Sequence, residues 1–318
     1  MLPAIEAEVI ILDLVKPFDS QEDRETVDLE TANGRVLATA IQGKLDIPHW
    51  DNSAMDGYAV RYEDVKNCSA NQPAILEVVE EIPAGYKSAV EIKSGEAARI
   101  FTGAMLPTGA DTIVIQENTQ AENSKVKILA APQPQEFVRH QGAFYRGGMP
   151  MLEAGITVGA AELAVLATAQ CIQLPVYRRP RVAILSTGNE LVSPEQPLKP
   201  GQIVDSNQYA LASFVVNNGG IPIKLGIVPD RPEALKESIA QAINSADLVL
   251  STGGVSVGDY DYVDRILAEL GGELKIRSVA VKPGKPLTVA KFPNCLYFGI
   301  PGNPVSALVS CWRFVQPA

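Results

Sequence analysis

Apolar and polar positions along the chain change their rhythm three times. The first element, about Ala4 to Lys16, has helical spacing, with Ile5, Val9, Leu12 and Val15 on one apolar face and Pro3 and Pro17 bounding it. A short helix is expected over Leu29–Thr31. From Ile47 to Val138 the apolar runs shorten and turns become frequent. Ala74–Val79, Ala97–Phe101, Thr112–Gln116 and Lys125–Leu129 read as strands of a small β-rich unit, with Asn123-Ser124 as a turn between two of them. Ala160–Gln170 reads as a helix.

From Arg181 onward strand and helix patterns alternate. Strands are expected at Arg181–Leu185, Ile221–Val228, Ala246–Leu250, Ile276–Val281, Leu287–Lys291 and Cys295–Gly299. Helices are expected at Asn207–Asn217, Pro232–Asn244, Tyr260–Leu270 and Asn303–Val315. This alternation predicts a three-layer α/β domain with a mainly parallel sheet. The 318 residues suffice for about two or three domains.

Composition narrows the function. With 27 basic and 37 acidic residues the net charge is -10, which repels phosphate backbones and argues against nucleic-acid binding. Cys68, Cys171, Cys295 and Cys311 form no CxxC pair and read as reduced, packed thiols of a cytosolic protein. His49 and His140 are the only histidines, which excludes a His-rich zinc site. No run of about 18 apolar residues suggests a membrane span, and the N-terminus lacks the basic start of a signal peptide.

Three strands of the α/β region run into small polar turns: Ser186-Thr187-Gly188-Asn189-Glu190, the stretch from Ser251 to Asp259, and Gly299-Ile300-Pro301-Gly302-Asn303-Pro304. In a parallel sheet these turns share the carboxyl rim, where ligands of open α/β sheets bind. Glycines let backbone N–H groups approach an anion, and Asn303-Pro304 is a good helix start. Val281-Lys282-Pro283-Gly284-Lys285-Pro286 places two lysines beside a Pro-Gly turn, either as a solvated hairpin or as a pair of point charges for an oxyanion. Glu190, Asp205, Asp230, Asp259 and Asp261 accompany the rim. Asp205 and Asp230 have the position of helix caps, and Asp261 is the better candidate for a bridging Mg²⁺. The loops Asp51–Ala59, Arg99–Ala104 and Thr112–Asn118 carry dense polar chemistry in the N-terminal half.

Seven of these stretches occur together and in one order: DNSAMDGYAV from Asp51, RIFTGAMLPTGADTIVIQEN from Arg99, STGNEL from Ser186, GQIVDSN from Gly201, STGGVSVGDYD from Ser251, VKPGKP from Val281 and GIPGNPVSA from Gly299. In them the chain resembles the MoeA/gephyrin E-domain family of molybdopterin molybdenumtransferases, over nearly its whole length. The resemblance implies an N-terminal extended domain over 1–46 and 140–178, an inserted β-rich domain over 47–139, and a molybdopterin-binding α/β domain over 179–318 like that of the molybdopterin adenylyltransferases. The family's C-terminal β-barrel domain is expected to be absent, because the chain ends where it would begin.

The implied reaction is molybdate insertion into adenylylated molybdopterin with release of AMP, assisted by Mg²⁺, in a cytoplasmic homodimer supplied by an upstream molybdopterin adenylyltransferase. The resemblance assigns the pterin phosphate and nucleotide to Gly188, Gly253, Gly254 and Ser256, with Asp230, Pro301 and Asn303. It assigns molybdate to Lys282, Lys285 and Ser306. It places Asp56, Glu190 and Asp261 around Mg²⁺ and the adenylate, with Thr102 and Glu117 lining the partner side. Two acids of a family Arg-x-x-Gly-Glu-Asp segment fall on Ala143 and Phe144, so their role does not carry over. A non-catalytic scaffold and an adenylyltransferase are the competing readings.

Overall fold

A computed structural model of the chain describes residues 1–253 and 260–318, for 260 and 261 the backbone only. It comprises two compact units, Met1–Arg24 with Tyr177–Ala318, and Glu25–Val176.

The chain begins with α1, Ala4–Leu14. The second unit then contributes β1, Gly57–Val60; β2, Ala74–Ile82; β3, Glu96–Ile100; β4, Thr112–Ile115; β5, Thr119–Glu122; and β6, Lys125–Ile128. These form one sheet in the order β4-β1-β3-β2-β6-β5. The pairings are antiparallel except β2–β3. The β5–β6 hairpin turns at Asn123, which takes a φ of 55° that asparagine tolerates.

Alternation along β1 and its neighbours divides the apolar residues of this sheet between two clusters. One holds Tyr58, Val60, Val65, Leu76, Val114, Val126 and Ile128; the other holds Ala59, Ile82, Ile92, Ala98, Ile100 and Ile113. A third cluster joins Ala32, Leu37 and Ile41 to Val158, Leu174, Val176 and to Leu166 of α2, Ala160–Thr168. The expected one-turn helix Leu29–Thr31 is present as a 3₁₀ turn.

The first unit holds β7, Arg181–Thr187; α3, Asn207–Asn217; β8, Ile221–Val228; α4, Pro232–Ser245; β9, Leu248–Thr252; α5, Tyr260–Glu269; β10, Glu273–Ser278; β11, Pro286–Lys291; β12, Leu296–Ile300; and α6, Pro304–Ser310. Its sheet runs β8-β7-β9-β12-β11-β10. The four strands β8, β7, β9 and β12 are parallel. The last two are antiparallel. The mainly parallel sheet is therefore present, but VKPGKP is a hairpin between β10 and β11 and not a βα turn of the parallel rim.

Both sheet faces are covered. Val182, Ile184, Leu250, Phe298 and Ile300 pack with α1, α3 and α6, while Ala183, Leu185, Val249 and Tyr297 pack with α4 and α5. Double coverage explains why these strands read as continuous apolar runs and not as alternating ones. Burial pushes the Cys295 and Cys311 thiols up to about 12, as suits packed thiols without nucleophilic use.

The first helix packs through its smaller face. It buries Ala7 and Ile11 in the α/β core, and leaves Ile5, Val9 and Leu12 exposed. Nor does it belong with residues 25–46: Leu2 bridges Val279 at the edge of the α/β sheet, Leu2 N–H donates to Ser278 O at 3.1 Å, and Arg313 pairs with Glu8 at 2.6 Å. The last expected helix also differs, since α6 ends at Ser310 and continues as a wider π-type turn, Cys311–Val315.

In the second unit Gly57 is enforced by packing. A Cβ on it would lie 2.1 Å from the Val114 carbonyl oxygen of the paired strand β4. Gly57→Ala is expected to destabilise the protein by about 1–3 kcal/mol, the usual cost of overpacking. A fall in the urea unfolding midpoint checks this, and an unchanged midpoint would contradict the strand pairing.

Candidate functional site

The turns after β7, β9 and β12 touch one another backbone to backbone. Parallel register levels their ends: Ser186 pairs with Thr252, and Thr252 with Ile300. Gly253 has a φ of 91°, and a Cβ there would lie 2.1 Å from Thr187 O. Only glycine meets both demands. A Cβ on Gly302 would lie 3.6 Å from the Gly253 Cα, so the third turn abuts the second.

Asn207, at the start of α3, clamps the two. Its Nδ2 donates to Thr252 Oγ1 at 2.8 Å and to Gly302 O at 2.8 Å, and Thr252 Oγ1 donates to Pro301 O at 3.1 Å. The expectation that three glycine turns share one rim holds for the described part of each.

The rim opens on a cavity of about 530 Å³ in this unit. The polar Thr187, Glu190, Asp230 and Arg231 line it together with Gly188, Gly253 and the more apolar Pro232, Leu235, Tyr262 and Val263. Such a volume and mixture suit a small organic ligand with an anionic group. Asp230 does not cap α4, whose N-cap is Arg231 without a side-chain bond. Instead Asp230 Oδ2 accepts from Asn189 N at 3.1 Å, and Asp230 N donates to Asn189 Oδ1 at 3.2 Å, so the turns after β7 and β8 hold each other. Asp205 is buried and accepts from Gln208 N at 3.3 Å and Gln208 Nε2 at 2.7 Å, as a helix-start residue does.

Glu190 and Asp230 thus give the cavity two carboxylates. Mg²⁺ takes one or two carboxylates with phosphate oxygens and water, so this donor set fits that ion in kind. Among the described residues no group of three His, Cys, Asp or Glu side chains is arranged to hold a metal by itself. Gly254, Ser256 and the Asp261 side chain, expected at this site, lie outside the described residues.

Several expected residues stand elsewhere. Lys282 and Lys285 are exposed on the β10–β11 hairpin and do not line the cavity. The antiparallel edge of the sheet carries them past β12. There the hairpin sits on α6: a Cβ on Gly284 would lie 3.0 Å from Ser310 Oγ and 3.8 Å from Ser306 O. The lysines therefore share a locality with Ser306.

Asn303 has the expected place of a helix cap. Its Oδ1 accepts from Val305 N at 3.0 Å and Ser306 N at 3.2 Å, so that oxygen caps α6. Pro301 is buried, and its carbonyl is the acceptor for Thr252.

Asp56, Thr102 and Glu117 belong to the other unit. Asp56 Oδ1 accepts from Thr102 Oγ1 at 2.7 Å and from Thr102 N at 2.8 Å. Asp56 O accepts from Gln116 N at 3.1 Å, which brings the exposed Glu117 beside the same loop. Arg99 completes this group, donating to Gln116 Oε1 at 2.7 Å while lying 5.1 Å from the Tyr58 ring centroid. The Ala143-Phe144 segment follows Gln141, whose N–H donates to Asp51 Oδ1 at 2.7 Å, and Phe144 is exposed.

Sequence reasoning missed Thr187 and Arg231 as individual residues. Thr187 lies inside the STGNEL stretch and Arg231 follows Asp230, but what distinguishes them is the burial of one and the place of both at the cavity, which no spacing records.

Comparison with known proteins agrees with this architecture. A family model described as the MoeA N-terminal region, domains I and II, matches residues 2–169, and one described as a probable molybdopterin binding domain matches 183–318. The chain is 61% identical over 311 residues to a molybdopterin molybdenumtransferase of Nostoc sp., covering 97% of this chain and 71% of that protein. It is 37% identical to one from Haemophilus influenzae, over 95% of this chain and 73% of that protein. A solved structure of the molybdopterin biosynthesis MoeA protein from Pyrococcus horikoshii OT3 superposes with a TM-score of 0.85 at 31% identity, covering all 100% of this chain and 78% of that one.

The Asp56–Thr102 contact has a measurable consequence. The Thr102 hydroxyl, and then its N–H, hold the Asp56 carboxyl below its ordinary 3.8. A depressed carboxyl stabilises the fold above its unfolded value, and that contribution is lost as pH falls below about 3.8 through the folded value. Thr102→Val is expected to return the Asp56 titration upward toward 3.8, as followed by NMR. An unchanged titration would show that Thr102 does not hold this carboxylate.

Proposed function

The chain belongs to the MoeA family of molybdopterin molybdenumtransferases, and we propose that it inserts molybdate into adenylylated molybdopterin with release of AMP. The observation that carries this reading is the cavity at the rim, where the glycine turns at Gly188 and Gly253 meet Glu190, Asp230 and Arg231. Phosphoryl chemistry needs positioning and charge stabilisation more than covalent help, and this lining supplies both.

In this reading Gly188 and Gly253 let backbone approach the phosphate and nucleotide. Glu190 and Asp230 would hold Mg²⁺, with Asp261 as a further candidate; the ion supplies charge neutralisation at the phosphoryl oxygens. Lys282 and Lys285, beside Ser306, attract the molybdate dianion as compact point charges. Asp56, hydrogen-bonded by Thr102, and Glu117 are the further acids of this reading.

The protein acts as a cytoplasmic homodimer that receives its pterin from a molybdopterin adenylyltransferase. Among the described residues no helix is long and apolar enough to cross a membrane. Ile5, Val9 and Leu12, exposed on α1, are the kind of surface a second copy covers. Sedimentation at micromolar concentration is expected to give a species heavier than 34.0 kDa; a stable monomer contradicts the dimer.

The reaction is tested by mixing the protein with adenylylated molybdopterin, Mg²⁺ and molybdate and following AMP. Molybdate-dependent AMP release is expected. No release from folded protein overturns the reading, and formation of adenylylated pterin from molybdopterin and ATP favours an adenylyltransferase. Replacing Lys282 and Lys285 together by alanine is expected to raise the half-saturating molybdate concentration roughly tenfold or more, as loss of contacts to a charged group does. An unchanged requirement removes both lysines from the molybdate site.

A further inference from the structure

Thr187 ends β7 with its side chain 4% exposed, and its hydroxyl has no hydrogen-bond partner among the described residues. A buried hydroxyl left unpaired costs stability. Strand formation does not need it, because valine has the same shape and an equal or better strand preference. The hydroxyl belongs to a residue that lines the rim cavity. Glycine at 253 leaves the space beside it free of a side chain, since a Cβ there would lie 2.9 Å from Thr187 Oγ1. An unpaired donor buried at the wall of a ligand-sized cavity points to a polar group on the ligand.

Charges in the same lining identify that group. Arg231 is exposed, lines the cavity and has no carboxylate partner among the described residues. It precedes Pro232, the first residue of the 14-residue helix α4, whose N-terminal dipole favours an anion there. Glu190 and Asp230 complete the charged lining, and Asp230 is already engaged by Asn189. Pro232, Leu235, Tyr262 and Val263 add apolar surface to the lining, against which a ring can pack. An anionic group carried on a flat, apolar body matches this mixture.

Resting on the functional reading above, we propose that Thr187 donates its hydroxyl hydrogen bond to a phosphoryl oxygen of the nucleotide part of the substrate, paired by Arg231, and thereby selects nucleotide-bearing substrate. The hydroxyl's partner is supplied by the ligand, so the free protein carries the cost and the complex recovers it.

The test uses the full chain with AMP and adenosine as probes, by calorimetry, beside thermal unfolding. Thr187→Val is expected to unfold at a temperature no lower than the parent and to bind AMP about tenfold or more weakly, the worth of a hydrogen bond to a charged group. Its adenosine affinity is expected to match the parent's. Arg231→Gln, at an exposed position, is expected to weaken AMP with the hydroxyl in place, and carries the test if the valine variant does not fold.

Unchanged AMP affinity in both variants overturns the proposal, as does a parent that fails to bind AMP at millimolar concentration. An equal loss for adenosine assigns the hydroxyl to the nucleoside and overturns the phosphoryl assignment. Turnover of adenylylated molybdopterin separates the two levels. A parent that turns it over while the variants keep full AMP affinity sinks this inference alone. A parent that discriminates AMP through Thr187 without turnover sinks the functional reading and leaves this one standing.

Discussion

The rim of the α/β unit is organised by one close approach, that of Gly253 to the Thr187 carbonyl. With 2.1 Å available to a Cβ, no side chain fits, so the turn after β9 is pressed backbone to backbone against the end of β7. Gly302 lies beside Gly253 at ordinary contact distance, 3.6 Å for an added Cβ, and Asn207 ties Thr252 to Gly302 with two 2.8 Å hydrogen bonds. The cavity itself is lined from the turns after β7, β8 and β9, which parallel pairing delivers to the same side. Its position follows from a general property of such sheets, in which strand ends and helix starts converge on one side.

The opposite end of the same unit is held by charge. Arg178 makes paired 2.8 Å hydrogen bonds to both oxygens of Asp247 and a third of 2.8 Å to Asp23, with its guanidinium 4.2 Å from the Phe18 ring centroid. Burial disfavours the Asp247 charge, but the Arg178 hydrogen bonds, the Arg181 N–H and the charges of both arginines together hold the carboxyl below its usual range. Paired geometry of this kind is specific to arginine. It ties the segment after α1 to the start of β9, which is why residues 1–24 belong with the α/β sheet and leave Ile5, Val9 and Leu12 outward.

Much of this was legible in the residues. The alternation after Arg181 located the strands and helices because doubly covered parallel strands are uniformly apolar and their helices are not. Three glycine turns at strand ends were legible as a shared rim. Less legible was the sheet edge: Ile276–Val281 and Leu287–Lys291 read as strands, but the Pro-Gly connection between them is too short for a parallel crossover and makes a hairpin. That signal was present and decides where Lys282 and Lys285 stand. The buried face of α1 was hidden because larger residues on its other side outweigh Ala7 and Ile11 in any periodicity. Asn303 read as a cap from the Asn-Pro pair, and its bonds from Val305 N and Ser306 N show that oxygen capping α6. For Thr187 and Arg231 spacing holds no signal, since their interest lies in a missing partner and a shared cavity.

A crystal structure of the chain soaked with adenylylated molybdopterin tests the account most directly. Phosphoryl density is predicted in the cavity between the Gly188 and Gly253 turns, within hydrogen-bond distance of Thr187 Oγ1 and the Arg231 guanidinium. Ligand density at the opposite end, among Arg178, Asp247 and Cys295, with the rim cavity empty, would contradict it.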